Sequence, residues 1–328
     1  MSDMMNIDRA AVEIQAAMPE LAIYENENMS ERCSFKVGGP VRALAAPESR
    51  ESLAELCGIL EKYGITPLPL GNCTNIIFPD EGMRETFALS TEKLTDMYMK
   101  DENLIYAGAG VSLARLAGFA CQNELTGLEF ASGIPGSVGG GSLMNAGAYG
   151  GELRNVIETV EIFYIPEGKF FELKNEDCRF AYRRSVFKSI PGCIITGAAF
   201  RLEKGDSEKI SEKMRELNQR RRDKQPLDMP SAGSAFKRPE GYYAAALIEE
   251  AGLKGFRVGG AGVSEKHSGF VVNCGGATAA DVRELMREVH DRVLKEKGVE
   301  LESEIIMLPP DYRPPRGGGK LSDKLREL

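Results

Sequence analysis

The chain has no tryptophan and only two histidines, His267 and His290, in 328 residues. Ser-His-Asp hydrolysis, HExxH sites and multi-histidine metal centres are therefore nearly excluded, no resident metal is expected, and protons must be moved by other groups. The seven cysteines (Cys33, Cys57, Cys73, Cys121, Cys178, Cys193 and Cys274) are odd in number and never spaced as CxxC. That usage fits reduced thiols in the cytoplasm rather than a disulfide framework or a zinc site. The first eighteen residues carry acids and no cleavable apolar block, and no run approaches about 18 apolar residues, so neither export nor a membrane span is expected. Positive charge is also in deficit. Lys and Arg total 41 against 49 Asp and Glu, a net charge of -8, which supplies no general attraction to nucleic acid or an anionic membrane. Any anion must be caught locally, and no obligate protein partner is visible.

Glycine is what the chain has in excess: 36 residues of 328, about 11% against a usual share of about 7%. Backbone amides brought close by missing side chains are then the expected ligand-binding groups. Along the sequence, SFKVGGPVRALAAP (Ser34 to Pro47) predicts a strand, a glycine turn and a strand. ESLAELCGILEKYG predicts an amphipathic helix ended by Gly64, and ITPLPLGNCTNIIFP a return to extended backbone. This first α+β unit closes near residue 92. A second unit, 93–204, contains a helix capped by Ser112, a stretch from Gly133 to Gly151 in which eight of nineteen residues are glycine, and three sheet strands, IETVEIFYI, KFFELK and CIITGAAFRL. The glycine-rich stretch is expected to be neither helix nor strand. A charged helix, SEKISEKMRELNQRRRDK, opens a third unit, 205–308, with two further helices and two strands. The helix Thr278 to Lys297 has apolar Val282, Leu285, Met286, Val289, Val293 and Leu294 at helical spacing. In the final predicted strand, VELESEIIM, Glu300, Glu302 and Glu304 share one face. The tail 309–328 is rich in Pro and Gly and is expected to be mobile.

Standard nucleotide motifs are absent. GAGVSL at Gly108 and GGAGVS at Gly259 miss GxGxxG, and GGGKLS near Lys320 misses the P-loop spacing. Two glycine turns remain, each preceded by apolar strand-like residues: Gly71-Asn72-Cys73-Thr74-Asn75 and the run beginning at Gly133. One such turn alone more often serves tight packing, but two facing each other would clamp a pyrophosphate through main-chain amides.

With LGNCTNIIFPDEG, GLEFASGIPGSVGGGSLMNAGAYGGE, FAYRRSVF, KQPLDMPSAGSAFKRP, AGLKGFRVGGAGVSEKHSGFVVN and GVELESEI in this order, the chain resembles the UDP-N-acetylenolpyruvoylglucosamine reductase family over residues 28–308. The resemblance implies an α+β flavoenzyme with a two-part, noncovalent FAD-binding domain of the vanillyl-alcohol-oxidase type and a C-terminal α+β domain for the UDP-sugar. It further implies NADPH as reductant and UDP-N-acetylglucosamine enolpyruvate as substrate, converted to UDP-N-acetylmuramate for peptidoglycan. The short spacer after FAYRRSVF resembles the family's shorter type, which lacks a substrate-covering tyrosine loop. The family's FAD turns match Gly71, Asn72, Cys73, Thr74 and Asn75, then Gly133, Ile134, Pro135, Gly136, Ser137, Gly139, Gly140, Asn145 and Gly147. Cys73-Thr74 stands where a glycine-serine pair is common.

Reduction of an enolpyruvyl ether needs positive charge for an enolate-like carboxylate and a proton for the α-carbon. By the same resemblance these roles fall to Arg183 and to Ser234, with Glu304 as third catalytic residue and Glu302 as its alternative, because period-two reasoning cannot separate the two. Outside that context an arginine is more often in a surface ion pair and a turn serine more often satisfies local backbone. Arg184 and Ser231 are assigned those plainer roles. For the UDP diphosphate and sugar the candidates are Arg222, Lys224, Tyr182 and Lys237, with Arg220 and Arg221 less favoured. His267 and His290 are expected to pack.

Overall fold

A computed structural model describes residues 3–328; Met1 and Ser2 of the leading segment lie outside them. The first part of the chain forms α1 (Asp3–Ala17), β1 (Ile23–Asn28), α2 (Met29–Arg32), β2 (Pro40–Ala45), α3 (Arg50–Lys62), β3 (Leu68–Leu70), β4 (Ile76–Ile77) and β5 (Met83–Ser90). Four of these strands pair in the order β1-β2-β5-β3. The β2-β5 and β3-β5 pairs are parallel, so the chain must cross over between them, and α3 does so. Ser49 and Ser52 make its capping box, and Leu53, Leu56, Cys57, Ile59 and Leu60 are its buried stripe, packed with Ile7, Ala10 and Ile14 of α1.

Two readings of this region change. Ser34 to Gly39 is irregular rather than a strand, with Lys36 at φ 60° and Gly38 at φ 106°. A Cβ on Gly38 would stand 2.8 Å from Phe78 Cβ, so only glycine lets this turn lie on the Phe78 backbone. Phe35 and Val37 enter the core of the third part of the molecule instead. The polar segment 23–28, which carries no strand signal, pairs at the sheet edge, where charged side chains are tolerated because one side faces water.

The middle of the chain forms β6 (Met97–Asp101), β7 (Leu104–Gly108), α4 (Leu113–Gln122), β8 (Leu125–Thr126), α5 (Val138–Met144), β9 (Gly147–Ala148), β10 (Gly151–Glu152), β11 (Ile157–Tyr164), β12 (Lys169–Lys174), β13 (Cys193–Arg201) and β14 (Glu203–Lys204). Five of these strands build an antiparallel sheet, β12-β11-β13-β7-β6. Ser112 caps α4, its hydroxyl accepting from Arg115 N–H. The glycine-rich stretch does contain a helix, α5, contrary to its composition. A Cβ on Gly139 would lie 2.9 Å from Ala109 Cβ, and one on Gly141 3.0 Å from Leu153. Glycine's low helix propensity is overridden because only glycines let this helix approach the sheet so closely.

The remainder forms α6 (Ser207–Lys224), β15 (Ser231–Ser234), α7 (Ala244–Glu250), β16 (Arg257–Val258), β17 (Ala261–Val263), β18 (Phe270–Asn273), α8 (Ala279–Lys297), β19 (Ile306–Met307) and α9 (Leu321–Glu327). Its antiparallel sheet, β15-β18-β17-β16, has four strands rather than the two expected; β16 and β17 are too short to leave an alternating pattern. Thr278 and Asp281 form the capping box of α8. Asp80 adds a second cap from the first part of the chain, its carboxylate accepting from Ala279 N at 2.7 Å and Ala280 N at 3.0 Å. Leu294, expected in the buried stripe, is exposed.

The predicted strand VELESEIIM is irregular until Ile306, where β19 pairs in parallel with β4. Its alternation fails: Glu300 and Glu302 side chains are 82% and 73% exposed, Glu304 only 13%. Long-range bonds set this path. Asn75 Nδ2 donates to the Glu304 carbonyl at 3.0 Å, and Glu304 N–H donates to Ala235 O at 2.9 Å. The tail is likewise held, against expectation. Leu321 is buried in the middle core, its amide donates to Glu167 at 2.7 Å, and Tyr164 Oη donates to Gly318 O at 3.2 Å. No helix among the described residues is long and apolar enough to cross a membrane.

Candidate active site

The two glycine turns meet. Thr74 Oγ1 donates to Pro135 O at 2.9 Å, and a Cβ on Gly71 would stand 2.9 Å from Ser137 Oγ. Among the described residues the amides of Gly71, Asn72, Cys73, Thr74 and Asn75, and those of Gly136, Ser137 and Gly140, donate to no protein acceptor. Ser137 Oγ is buried and also lacks a partner. Leaving a buried polar group unpaired costs about 1–3 kcal/mol, so this concentration of open donors fits an anion with many acceptor oxygens. An organic diphosphate such as that of FAD meets the need. A cleft of about 470 Å³ lined by Glu27, Glu31, Arg32, Leu70, Gly71, Asn72, Cys73 and Glu92 adjoins the first turn.

Not every matched residue contributes in the same way. Gly139 spends its amide on Ala109 O at 2.9 Å and serves close packing. Asn145, in left-handed conformation at the end of α5, is spent internally: Nδ2 donates to Glu152 and to Ala181 O, and Oδ1 accepts from Arg154 N. It ties the glycine helix to the Arg183 turn. Gly147 accepts from Arg183 Nη2 at 3.3 Å, Gly133 lies against Asn218 and Arg221, and Ile134 packs on the middle core. Cys73 has φ 48°, a left-handed conformation that costs a residue with a Cβ ~1–2 kcal/mol. A glycine there would be free of that strain.

Arg183 sits in a two-residue hairpin rather than a strand. Ala181 and Arg184 exchange both backbone hydrogen bonds at 2.9 and 3.1 Å, and Arg183 has φ 55°. The turn, not strand alternation, separates inward Arg183 from exposed Arg184. Arg183 Nε donates to Glu304 Oε1 at 2.5 Å, the two side chains being 18% and 13% exposed. Its guanidinium lies 5.0 Å from the centre of the Tyr182 ring, and Lys188 Nζ donates to its carbonyl at 3.1 Å. Burial pushes the Glu304 carboxyl above its ordinary pKa, opposed by Arg183, Lys237 and Lys188. Burial, with the charges of Lys237 and Arg183, lowers that of Lys188. Glu302 instead pairs with Lys237 at the surface, so the geometry joins Glu304, not Glu302, to Arg183.

Ser234 ends β15 one residue before Ala235, whose carbonyl holds Glu304. It is exposed, and its hydroxyl makes no hydrogen bond within the described protein. Ser231 lies in the strand and caps no helix; its carbonyl accepts from Ser34 Oγ at 2.6 Å. Tyr182 Oη accepts from Arg238 N at 3.2 Å, which keeps Tyr182 and Lys237 on the Arg183 side. Arg222 is exposed and bonded to Gln219, and Lys224 is exposed at the end of α6. Arg221, passed over on sequence grounds, is the member of this run whose Nε and Nη1 are buried without a hydrogen-bond partner; an unbroken run of cations gives no signal for which one turns inward. His267 packs edge-on against Phe270 with ring centres 5.1 Å apart, and burial lowers its pKa. His290 lies on α8 beside Asp291.

Comparison with known proteins agrees with this geometry. A family model described as UDP-N-acetylenolpyruvoylglucosamine reductase, C-terminal domain, matches residues 225–308, and one described as FAD binding domain matches residues 41–174. The chain is 47% identical over 293 residues to UDP-N-acetylenolpyruvoylglucosamine reductase from Caldanaerobacter subterraneus subsp. tengcongensis, covering 89% of this chain and 95% of that one. It is 42% identical over 293 residues to the protein of the same name from Lachnoclostridium phytofermentans, covering 88% and 94%. The crystal structure of the Thermus caldophilus enzyme superimposes with a TM-score of 0.74 at 36% identity, over 88% of this chain and 99% of that one.

Proposed function

Because this chain belongs to the UDP-N-acetylenolpyruvoylglucosamine reductase family and carries its FAD-binding domain, we propose that it uses NADPH to reduce UDP-N-acetylglucosamine enolpyruvate to UDP-N-acetylmuramate. The product serves peptidoglycan synthesis in the cytoplasm. The observation that carries this reading is the buried Arg183–Glu304 pair next to Ser234.

The Gly71–Asn75 and Gly136–Gly140 turns would hold FAD, which, once reduced by NADPH, would supply hydride for the β-carbon of the enolpyruvyl group. Negative charge then builds on the substrate carboxylate. Arg183 spends Nε on Glu304 and Nη2 on Gly147, so its remaining N–H groups serve that carboxylate. Glu304, itself fixed by Asn75 and Ala235, orients the guanidinium, and the low exposure of the pair strengthens the attraction. The free hydroxyl of Ser234 delivers a proton to the α-carbon and, being exposed, regains one from solvent. Tyr182 and Lys237 line the same side, while Arg222 and Lys224 offer charge to the UDP diphosphate.

Half-reactions separate these roles. Ser234→Ala is expected to leave flavin reduction by NADPH unchanged and to slow reoxidation by the enolpyruvyl substrate about 10²–10⁴-fold in stopped-flow absorbance. Equal loss of both half-reactions would count against the proton-donor role, and a wild-type flavin that the substrate fails to reoxidise would remove the substrate assignment.

A further inference from the structure

Among the described residues, Arg221 is the cation that keeps buried nitrogens without a hydrogen-bond partner. Its Nε and Nη1 are buried with no hydrogen-bond partner, and among the described residues no carboxylate pairs with it. Of the acids on α6, Glu216 pairs with Lys213 and Arg220, and Asp223 accepts from Gln219 Nε2 at 2.7 Å. Burial lowers its basicity, with only the Tyr149 hydroxyl acting against this. A guanidinium withdrawn from water without an anion is costly enough that a fold does not keep one idly.

Its surroundings say where the anion belongs. A Cβ on Gly133, the first residue of the second glycine turn, would stand 3.3 Å from Arg221 Cδ and 3.4 Å from Nη1. The missing side chain is what admits the guanidinium beside the turn. On the other side lies Tyr149, whose ring is covered by Arg220 at 5.1 Å. Three residues beyond Gly133 begin the open amides of Gly136, Ser137 and Gly140. Amides contribute only partial charges, and a guanidinium beside them adds a full charge and stronger, charge-assisted hydrogen bonds to a diphosphate. The open amides of this turn and the unpartnered Nε and Nη1 that α6 places against Gly133 thus border the same turn.

We infer that Arg221 is a further cofactor-binding residue, pairing with the diphosphate of FAD beside the second glycine turn. The inference rests on the FAD assignment.

The test is fluorescence titration of flavin-stripped full-length protein with FAD over a range of salt concentrations. It compares wild type, Arg221→Met and Arg221→Lys, with the KM for the UDP-sugar then measured at saturating FAD. The expected result is a Kd for FAD raised about 10- to 100-fold in Arg221→Met, with a flatter salt dependence. Arg221→Lys, which keeps the charge, should recover part of the affinity and the salt slope, and the UDP-sugar KM should stay near wild type in both. An unchanged FAD Kd with a raised UDP-sugar KM would overturn the inference and give Arg221 to the substrate's diphosphate. Equal weakening in both variants with the wild-type salt slope would reduce Arg221 to packing. If Arg221→Met does not fold, the salt slope of Arg221→Lys decides alone. Wild-type protein that takes up no FAD would remove the FAD assignment itself, a result distinct from any effect confined to the variants.

Discussion

Glu304 holds Arg183 most strongly when ionised, yet its burial favours the protonated form. As pH falls through a carboxyl pKa raised above the ordinary 4.5, Arg183 loses its charged partner, so substrate-dependent flavin reoxidation should fall on the acid side. Glu304→Gln keeps an oxygen for Arg183 Nε but cannot titrate. It is expected to lower kcat/KM for the UDP-sugar about 10-fold or more and to abolish that acid limb, measured as reoxidation rate against pH. Stability follows a fixed sign. The unfolded chain ionises this group first, so its contribution declines as pH rises from 4.5 through the folded pKa and then levels off. Urea melts of the Gln variant should lack that decline. Neither the pairing nor its pH dependence was legible in VELESEIIM, because alternation treats Glu302 and Glu304 alike while hydrogen bonds from Asn75 and to Ala235 distinguish them.

At the scale of elements, helices with their own caps were readable and those made by contact were not. Ser112 before α4 and Thr278 before α8 announce their helices in the sequence, and the structure has both capping bonds. The glycine helix α5 is invisible by propensity because its cause lies in Ala109, Leu113 and Leu153, residues distant from it in sequence or outside its span. The cap that Asp80 places on α8 is hidden for the same reason, being 199 residues away. Asp80→Ala should remove two bonds to the first-turn amides and a favourable charge at the helix start, costing about 1–2 kcal/mol in the urea-unfolding free energy. FAD affinity should be little changed.

The whole molecule is stitched from its ends. Ser34 reaches Ser231, Asn273 Nδ2 donates to Phe35 O, β4 pairs with β19, and the tail returns to the middle sheet through Leu321. A tail rich in Pro and Gly reads as mobile because its apolar anchors, Tyr312, Leu321 and Leu325, are few and scattered in sequence. Leu321→Ala should therefore destabilise the protein by roughly 2 kcal/mol, seen as a lower urea midpoint, and raise hydrogen exchange from Gly318 to Glu327.

The bond from Asn75 to Glu304 spans 229 residues, and that separation is also an interval of time. At synthesis rates of about 5–20 residues per second, roughly 10–50 s pass between the emergence of the first glycine turn and that of the acid it holds. Through that interval Phe35, Val37 and Ile77 wait without the core they will enter, since α8 and the Leu301–Ile305 segment come last. Apolar residues exposed through this wait favour misassociation of the nascent chain, and Arg183 acquires its carboxylate partner only after a further 121 residues have been made.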